Sequence, residues 1–480
     1  MKFNDGKTFV DLSLRDKVQP YLHKEMSRDC PDRIVSLKEK CLGVIRSDSN
    51  LIARLLRDHD DSLSMMSSNP IFLKDLHLEQ KAKYIDKEDF YKDQLKQLPS
   101  YAGKENGRVT LHGHSWKRMY MEEMFTTLLN NHTNEEDSVT LPFPIESFQD
   151  YIFTLELKNF SNFTLLDSTL PSLTNLTSLT LEYGNKRNTD LPLVTSIQQR
   201  NGRSLFGGGM QISDAQSLAH ALKSLPHLCS LSLTNSQIND EIIFALFDEL
   251  QSSHGDSPHD HAATTGSLSC LRDSLIDLDL SFNKIHKDGF YRIVQYFFPS
   301  SSPFVDHEDC SIEQDFKNQH PAAQQQQQEG RDHDLLVKLK LTGNDVGIEG
   351  ARILRKILEK NTSLQELDVR LNDLKDEGGC IILEALHHNR TLKMLNMACN
   401  SLSTKSANSL CSLIGQGDGN NQNGELVLEI LDLSCNMFAD EDFTNIAAWV
   451  SSSSSSKSLG NLIELDLRGD CNSLSIKDAI

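Results

Sequence analysis

A spacing of 28 residues organises this chain more strongly than any other feature. Leu336, Leu364 and Leu392 lie 28 residues apart, and each begins the same short pattern of apolar residues. The first copy reads Leu-x-x-Leu-x-Leu-x-x-Asn-x-Val, and the other two keep its apolar positions and its asparagine. The asparagines are Asn344, Asn372 and Asn400. A pattern repeated this faithfully predicts one structural unit stacked several times.

The second half of each copy has the period of a helix. Ala351, Leu354 and Leu358 follow the first copy at spacings of three and four, which place them on one helical face. A strand and a helix that cannot bury their apolar sides alone must stack on neighbouring copies. This is the signature of leucine-rich repeats. We therefore predict an α/β fold, a leucine-rich-repeat solenoid preceded by a helical N-terminal region. The period and the full helix resemble the ribonuclease-inhibitor-like horseshoe, which has parallel strands inside and helices outside.

Less regular copies extend the repeat on both sides, to about eight or nine units. Strand patterns begin at Ile152, Leu176, Leu228 and Leu275 before the clear copies, and at Leu428 and Leu462 after them. We predict a helical N-terminal region over 1–145 and a leucine-rich-repeat domain over 146–480. Four polar stretches interrupt the period and are predicted to be disordered loops, since they offer little apolar surface to bury. They lie near 252–267, 299–334, 415–424 and 451–457.

Charge and motifs exclude several classes of function. The net charge of −20 disfavours nucleic acid and anionic membrane surfaces as partners. No apolar stretch is long enough to span a membrane, and no signal peptide opens the chain. The ten cysteines show no C-x-x-C pair, which indicates reduced thiols. We find no phosphate-binding loop and no catalytic constellation, so we predict no enzyme activity, no cofactor and no metal site. His112 and His114 have no third ligand nearby, which favours a capping or surface role.

The predicted strands carry a set of acidic residues between their second and third leucines. They are Asp279, Asp368, Asp432 and Asp466. Alternation along a strand places them on the concave face. They form either an acidic stripe that meets a basic partner or a polar surface that only solvates the sheet. Lys340 and Asn396 interrupt the stripe, while Phe282, Arg370 and Leu371 lie near it as candidate partner contacts.

A second signal lies before the repeats. Ser115-Trp116-Lys117-Arg118-Met119-Tyr120, followed by Glu122 and Glu123, resembles the dynein regulatory complex subunit 5 family, also called T-complex-associated testis-expressed leucine-rich-repeat proteins. The resemblance implies a non-catalytic scaffold subunit of the nexin-dynein regulatory complex. That complex links neighbouring doublet microtubules and helps to regulate dynein-driven motility.

The same resemblance implies a place in the cell and a class of partner. The place is the cytoplasm and cytoskeleton, in the axoneme of a motile cilium or flagellum. The partners are other subunits of the complex and microtubule-associated axonemal proteins. Trp116 and Tyr120 are then candidate partner contacts.

Two alternatives remain open at this point. One is a GTPase-activating protein for a Ran-like GTPase, which uses the same repeat class but usually lacks a large helical N-terminal region. The other is a substrate adaptor of a ubiquitin ligase, in which an F-box precedes leucine-rich repeats. Residues 141–153 faintly resemble the start of an F-box, but they run directly into repeat strands.

Overall fold

The computed structural model describes residues 88–98, 108–132, 145, 148–184, 209–252, 271–298, 334–415, 426–452 and 461–469. Two compact units separate among these residues. The N-terminal unit lies within Met1–Phe125 and Pro142–Ile152, and the repeat unit lies within Thr126–Leu141 and Phe153–Ile480. The four predicted disordered loops fall almost entirely outside the described residues, and so does the N-terminal region before Glu88.

The described part of the N-terminal unit is helical. Helix α1 is Glu88–Leu95, α2 is Arg108–Leu111 and α3 is Trp116–His132, of which the part up to Phe125 belongs to this unit. Ser115 caps α3 as its sequence predicts, since its hydroxyl oxygen accepts the backbone N–H of Arg118 at 3.2 Å. Glu88 adds a cap that local sequence does not show. Its carboxylate accepts the backbone N–H groups of Trp116 at 2.5 Å and of Lys117 at 3.0 Å.

The repeat unit is built on one parallel sheet, which has nine strands among the described residues. The strands pair in the order in which they occur along the chain. They are β1 Thr154–Phe160, β2 Ser178–Tyr183, β3 Ser230–Thr234, β4 Asp277–Asp279, β5 Lys338–Lys340, β6 Glu366–Asp368, β7 Met394–Asn396, β8 Ile430–Asp432 and β9 Glu464–Asp466. Each strand with the helix that follows it is called a rung below. This order confirms the predicted leucine-rich-repeat architecture.

A helix follows each strand from β1 to β8. These helices are α4 Phe163–Thr169, α5 Ile212–Lys223, α6 Asp240–Gln251, α7 Lys287–Phe297, α8 Gly347–Lys360, α9 Lys375–Ala385, α10 Thr404–Gly415 and α11 Asp440–Ser452. The helical period of the sequence predicts all of them except α4. That short helix is capped by Asn162, whose side-chain oxygen accepts the backbone N–H of Leu165 at 3.0 Å.

The core of the repeat unit is a continuous row of leucines, one from each strand. Their paired positions are Leu155, Leu179, Leu231, Leu278, Leu339, Leu367, Leu395, Leu431 and Leu465. All of them are buried, and so are the helical residues Leu354 and Leu358 that close the rung of β5. Burying a leucine side chain contributes about 1.5–3 kcal/mol. The residues on either side of each leucine point the other way.

The asparagine of the repeat ties each rung to the one before it. In the rung of β7, the side-chain oxygen of Asn400 accepts the backbone N–H of Asn372 at 2.9 Å. Its amide nitrogen donates to the carbonyl oxygens of Val369 at 2.9 Å and Met397 at 3.1 Å. Equivalent bonds connect the other asparagines of this ladder to their preceding rungs. They are Asn283, Asn344, Asn372 and Asn436. The asparagine therefore satisfies backbone groups that the turn after the strand leaves unpaired.

Candidate functional site

The open face of the sheet, which is the side away from the helices, carries the predicted acidic residues in one row. The register aligns Ser232, Asp279, Lys340, Asp368, Asn396, Asp432 and Asp466 across neighbouring strands. The four predicted aspartates therefore lie in one row, with Lys340 and Asn396 between them. Their role in binding a partner stays a prediction.

Each acid of this row has a structural task within its own rung. A side-chain oxygen of Asp279 accepts the backbone N–H of Ser281 at 3.0 Å, and Asp368 accepts that of Arg370 at 3.2 Å. In the same way, Asn396 accepts the backbone N–H of Ala398, Asp432 that of Ser434 and Asp466 that of Arg468. The Asp and Asn side chains of the row therefore stabilise the turn that follows each strand, since both residue types accept a backbone N–H two residues on.

Neighbouring cations neutralise much of the charge of the row. Arg370 binds Asp368 with its Nε at 3.1 Å from both carboxylate oxygens, and Arg468 binds Asp466 in the same way at 2.9 Å. The Arg468 side chain holds the pKa of Asp466 below its usual value. Lys340 lies 4.0 Å from Asp279. A uniform acidic stripe does not describe this surface, because Asp279, Asp368 and Asp466 each lie beside a cation, while Asp432 accepts an N–H of the Asn396 amide at 2.7 Å.

The strongest charge pairing lies at β4, β5 and β6. Lys338 binds Glu366 at 2.7 Å, a hydrogen bond that raises the pKa of Lys338. Burial raises the pKa of Asp277, and the nearby Lys340 and Lys338 oppose that shift. One carboxylate oxygen of Asp277 is buried and has no hydrogen-bond donor among the described residues. The middle of the open face therefore alternates in charge, from the acids of β4 to the lysines of β5 and the acids of β6.

The residue immediately before each ladder asparagine is apolar or glycine in the rungs of β4 to β8. These residues follow one edge of the sheet and are called the edge row: Phe282, Gly343, Leu371, Cys399 and Cys435. Backbone hydrogen bonds connect neighbouring rungs at the edge row as well. The N–H of Gly343 donates to Arg370 O at 2.8 Å, and the N–H of Leu371 donates to Ala398 O at 3.2 Å. Phe282 is 54% exposed and Leu371 is 48% exposed. Phe282 and Leu371 are thus two large apolar side chains exposed along the same edge row.

Every residue of the edge row has a left-handed backbone. The φ angles are 58° at Phe282, 67° at Gly343, 54° at Leu371, 55° at Cys399 and 55° at Cys435. A bulky side chain in this region costs about 1–2 kcal/mol relative to glycine. Gly343 shows that the rung accepts glycine at this position, and the ring of Phe282 lies over it. Leucine at 371 therefore has a conformational cost and a side chain that is half exposed.

The predicted contacts Trp116 and Tyr120 lie in the N-terminal unit. Tyr120 is 3% exposed, its ring lies 5.5 Å from that of Tyr91, and burial raises its pKa to about 12. Trp116 is partly exposed, with the Lys92 amine 5.1 Å from its ring centre. The fully buried side chains of this part of α3 are Met121 and Phe125. The Trp-Lys-Arg element thus lies at the start of a helix that buries other side chains within the N-terminal unit.

His112 and Glu122 form a close polar pair in the same unit. The Nδ1 atom of His112 contacts a carboxylate oxygen of Glu122, and the Nε of Arg118 binds the same carboxylate at 3.1 Å. Glu122 is 3% exposed.

Within the described ranges, no group of three or more His, Cys, Asp or Glu side chains is arranged to hold a metal ion. The helices of that part of the chain include none that is both long and apolar enough for a membrane span.

Comparison with known proteins identifies the repeat and one relative. A family model described as "Leucine Rich repeat" matches residues 360–379. Dynein regulatory complex subunit 5 of Chlamydomonas reinhardtii is 27% identical over 169 residues. The chain is a leucine-rich-repeat protein similar to dynein regulatory complex subunit 5. The alignment covers 35% of this chain and 39% of that relative, so it spans about two fifths of the relative's length. The repeats and this similarity indicate a protein-interaction scaffold.

Solved structures that are similar to this leucine-rich-repeat protein share little sequence with it. TLR13 in its complex with ssRNA13 has 13% identity and a TM-score of 0.29, over 68% of this chain and 37% of that chain. The yeast complex of Rad7 and Elc1 has 12% identity and a TM-score of 0.30, over 80% and 96%. An internalin from Listeria monocytogenes has 16% identity and a TM-score of 0.23, over 72% and 88%. The repeat assignment stands on the sequence period, the parallel sheet and the family model.

The sequence pattern did not reveal the edge row as one surface. It pointed to Phe282 and Leu371 separately, as residues near the acidic row. The signal was nevertheless present, because both residues directly precede the ladder asparagine of their rungs. Cys399 and Cys435 occupy the same place, so the position within the repeat would have grouped them too.

Proposed function

We propose that this chain is a non-catalytic scaffold subunit of the nexin-dynein regulatory complex in motile cilia or flagella. Its repeat surface docks other axonemal subunits and so helps to regulate dynein-driven motility. The similarity to dynein regulatory complex subunit 5 supports the location, and the leucine-rich repeats support the mode of action. The proposed partners are subunits of the same complex and microtubule-associated axonemal proteins, with neither nucleic acid nor membrane as a ligand.

The proposed docking role rests on the exposure and backbone conformation of Leu371. Its side chain is half exposed and its backbone is left-handed, whereas the rung of β5 has Gly343 at the equivalent position. A residue that raises the free energy of the fold and leaves apolar surface in water is explained by a contact made outside the chain. Phe282 repeats the same combination two rungs earlier.

Charged groups next to the edge row restrict how a partner can be oriented on it. Arg370 and Asp368 form a pair adjacent to Leu371, and Arg468 and Asp466 form another at the last described strand. Exposed pairs contribute little net energy, so binding energy comes from the apolar row and the pairs restrict the orientation of the partner. We therefore assign Asp279, Asp368, Asp432 and Asp466 to turn formation and to the polar border of the contact.

The N-terminal candidates have different roles in this proposal. Tyr120 belongs to the core of its unit, because its ring is buried and packs near Tyr91. Trp116 keeps part of its ring exposed beside Lys92 and remains a candidate contact. The helical unit then holds the chain in the complex, while the repeats present the docking surface.

Localisation and crosslinking test this proposal together. The full chain, tagged at one end, is expressed in motile ciliated cells, and isolated axonemes are crosslinked and analysed by mass spectrometry. We expect axonemal enrichment and crosslinks from the repeat unit to subunits of the regulatory complex. A diffuse cytosolic signal with no axonemal enrichment contradicts the location. Acceleration of GTP hydrolysis by a Ran-like GTPase, measured with the purified chain, contradicts the non-catalytic role.

A further inference from the structure

Two free thiols, Cys399 and Cys435, stand at equivalent places in adjacent rungs. Each directly precedes a ladder asparagine, and each has a φ of 55°. Strands β7 and β8 pair Asn396 with Asp432, three residues before each cysteine. The two cysteines therefore extend from the same backbone geometry on neighbouring rungs.

Backbone hydrogen bonds between the two rungs hold the Cα atoms of the two cysteines at about the spacing of neighbouring strands. Cys399 donates its backbone N–H to Ser434 O at 3.0 Å, and Asn400 donates its own to the side-chain oxygen of Asn436 at 2.8 Å. Neighbouring strands lie about 4.8 Å apart, whereas the Cα atoms of a disulfide lie about 4.4–6.8 Å apart. After burial, the neighbouring Cys435 is the next cause that raises the pKa of the Cys399 thiol. A disulfide fits this place without separating the rungs.

The surroundings leave one thiol open to solvent and shelter the other. Cys435 is exposed and Cys399 is partly buried. Burial, then the neighbouring Cys435, then Asp432 raise the pKa of the Cys399 thiol, while Arg370 opposes them. Cys399 is thus the less accessible of the two thiols to a reagent in solution.

We propose that Cys399 and Cys435 form a dithiol modification site that hydroperoxides oxidise to a disulfide between the two rungs. The Cys435 thiolate attacks the terminal peroxide oxygen, and the S–O bond of a sulfenic acid forms as the O–O bond breaks. The leaving alkoxide or hydroxide takes from solvent the proton that Cys435 had lost and becomes an alcohol or water. The Cys399 sulfur then attacks the sulfenic sulfur, the S–S bond forms, and the leaving hydroxide takes the Cys399 proton as water. Two thiols and one hydroperoxide give one disulfide, one water and one alcohol or a second water.

The test treats the reduced, purified full chain with hydrogen peroxide and maps its cysteines after digestion without reductant. We expect a linked peptide pair that contains Cys399 and Cys435, with the loss of two hydrogens, restored by a thiol reductant. We also expect this pair to form before Cys229, Cys380 or Cys411 is modified. The disulfide restrains the denatured chain, so the oxidised protein should melt at a higher temperature than the reduced protein.

Single substitutions separate the two steps. In Cys399→Ser, Cys435 should remain as a sulfenic acid that a dimedone-type probe labels. In Cys435→Ser, neither the link nor the label should appear at Cys399. Cys411→Ser is the matched control and should form the link as the parent chain does. Circular dichroism confirms the fold of each variant. If peroxide leaves both thiols free, links either one to another cysteine, or labels Cys399 first, the inference is wrong.

Discussion

The side-chain oxygen of Asn400 accepts the backbone N–H of Asn372, its counterpart one rung earlier, at 2.9 Å. One side chain thereby ties together two rungs that are 28 residues apart in sequence. Asn436 repeats the bond to Asn400 at 2.8 Å. The rungs are thus held by a buried polar ladder as well as by their leucines, and a break in the ladder leaves backbone groups of the preceding rung without partners.

Replacement of Asn400 by alanine is predicted to destabilise the repeat unit. The change removes acceptors and donors for at least three backbone groups, and each buried unsatisfied group costs about 1–3 kcal/mol. We expect a clear fall in the urea midpoint measured by far-ultraviolet circular dichroism. Asn408→Ala is the matched control, because Asn408 is exposed on α10. Equal stability of the two variants would show that the ladder does not hold the rungs together.

Asp376 is predicted to make the repeat unit sensitive to acid. Burial alone raises the pKa of this carboxyl, but bonds from Ser403 and Ser406 outweigh burial and lower it below its usual value. The Ser403 backbone N–H and the Ser406 hydroxyl both donate to it at 2.7 Å. A depressed folded-state pKa gives stability that is present above the unfolded value of about 3.9 and lost as pH falls through the folded value.

The Asp376→Asn variant tests the direction in which the stability contributed by Asp376 changes with pH. At neutral pH it should unfold at lower urea than the parent chain, and the difference should shrink below about pH 4, where the parent carboxylate becomes protonated. Asp373→Asn, at an exposed acid in the same rung, serves as the control. A difference that grows as the pH falls would contradict the account of Asp376.

Glu88 is predicted to stabilise the start of α3 from a distance in sequence. Its carboxylate accepts two backbone N–H groups of that helix and the Ser115 hydroxyl at 2.9 Å. Loss of a helix cap costs about 1 kcal/mol. In Glu88→Ala, the backbone amides of Trp116 and Lys117 should exchange with deuterium faster than in the parent chain. Asp89→Ala, one residue further along α1, should leave their exchange unchanged, and equal exchange in both variants would rule out the cap.

Leu371→Gly is predicted to leave the repeat unit as stable as before, or more so. Glycine relieves the left-handed backbone by about 1–2 kcal/mol and gives up a half-exposed side chain, although it adds freedom to the unfolded chain. Leu367→Ala provides the contrast, since Leu367 is buried and its truncation should cost about 2–5 kcal/mol. Thermal melting compares the two. A large loss of stability in Leu371→Gly would make Leu371 a residue of the core.

The repeat period was sufficient to predict the sheet, because each strand and helix satisfies the same local pattern. Leu364 and Leu392 alone fix where β6 and β7 begin to within a few residues. Helix α4 was not predicted, since its start depends on the cap at Asn162 and its short sequence carries no helical period. The cap from Glu88 was also missed, because no local rule connects two residues 28 positions apart.

The functional surface was harder to predict than the fold. Alternation placed Asp368 on the open face correctly, but the Arg370 side chain that neutralises it follows from three-dimensional contact. The sequence placed Lys340 and Asn396 as interruptions of the acidic stripe, but it did not show that Arg370 and Arg468 each bind an acid of that stripe. The left-handed backbone of Leu371 cannot be read from composition, because glycine is the usual signal for that conformation.

The most direct test of the docking surface is the affinity of the purified chain for the other subunits of the dynein regulatory complex. Biolayer interferometry with each subunit should find at least one that binds. For that subunit, Leu371→Gly should raise Kd about tenfold or more, equal to about 1.4 kcal/mol of binding energy. Ile276→Ser, at an exposed apolar residue outside the edge row, should bind as the parent chain does. Binding by Leu371→Gly at the parent affinity, or no binding to any subunit, would contradict the account.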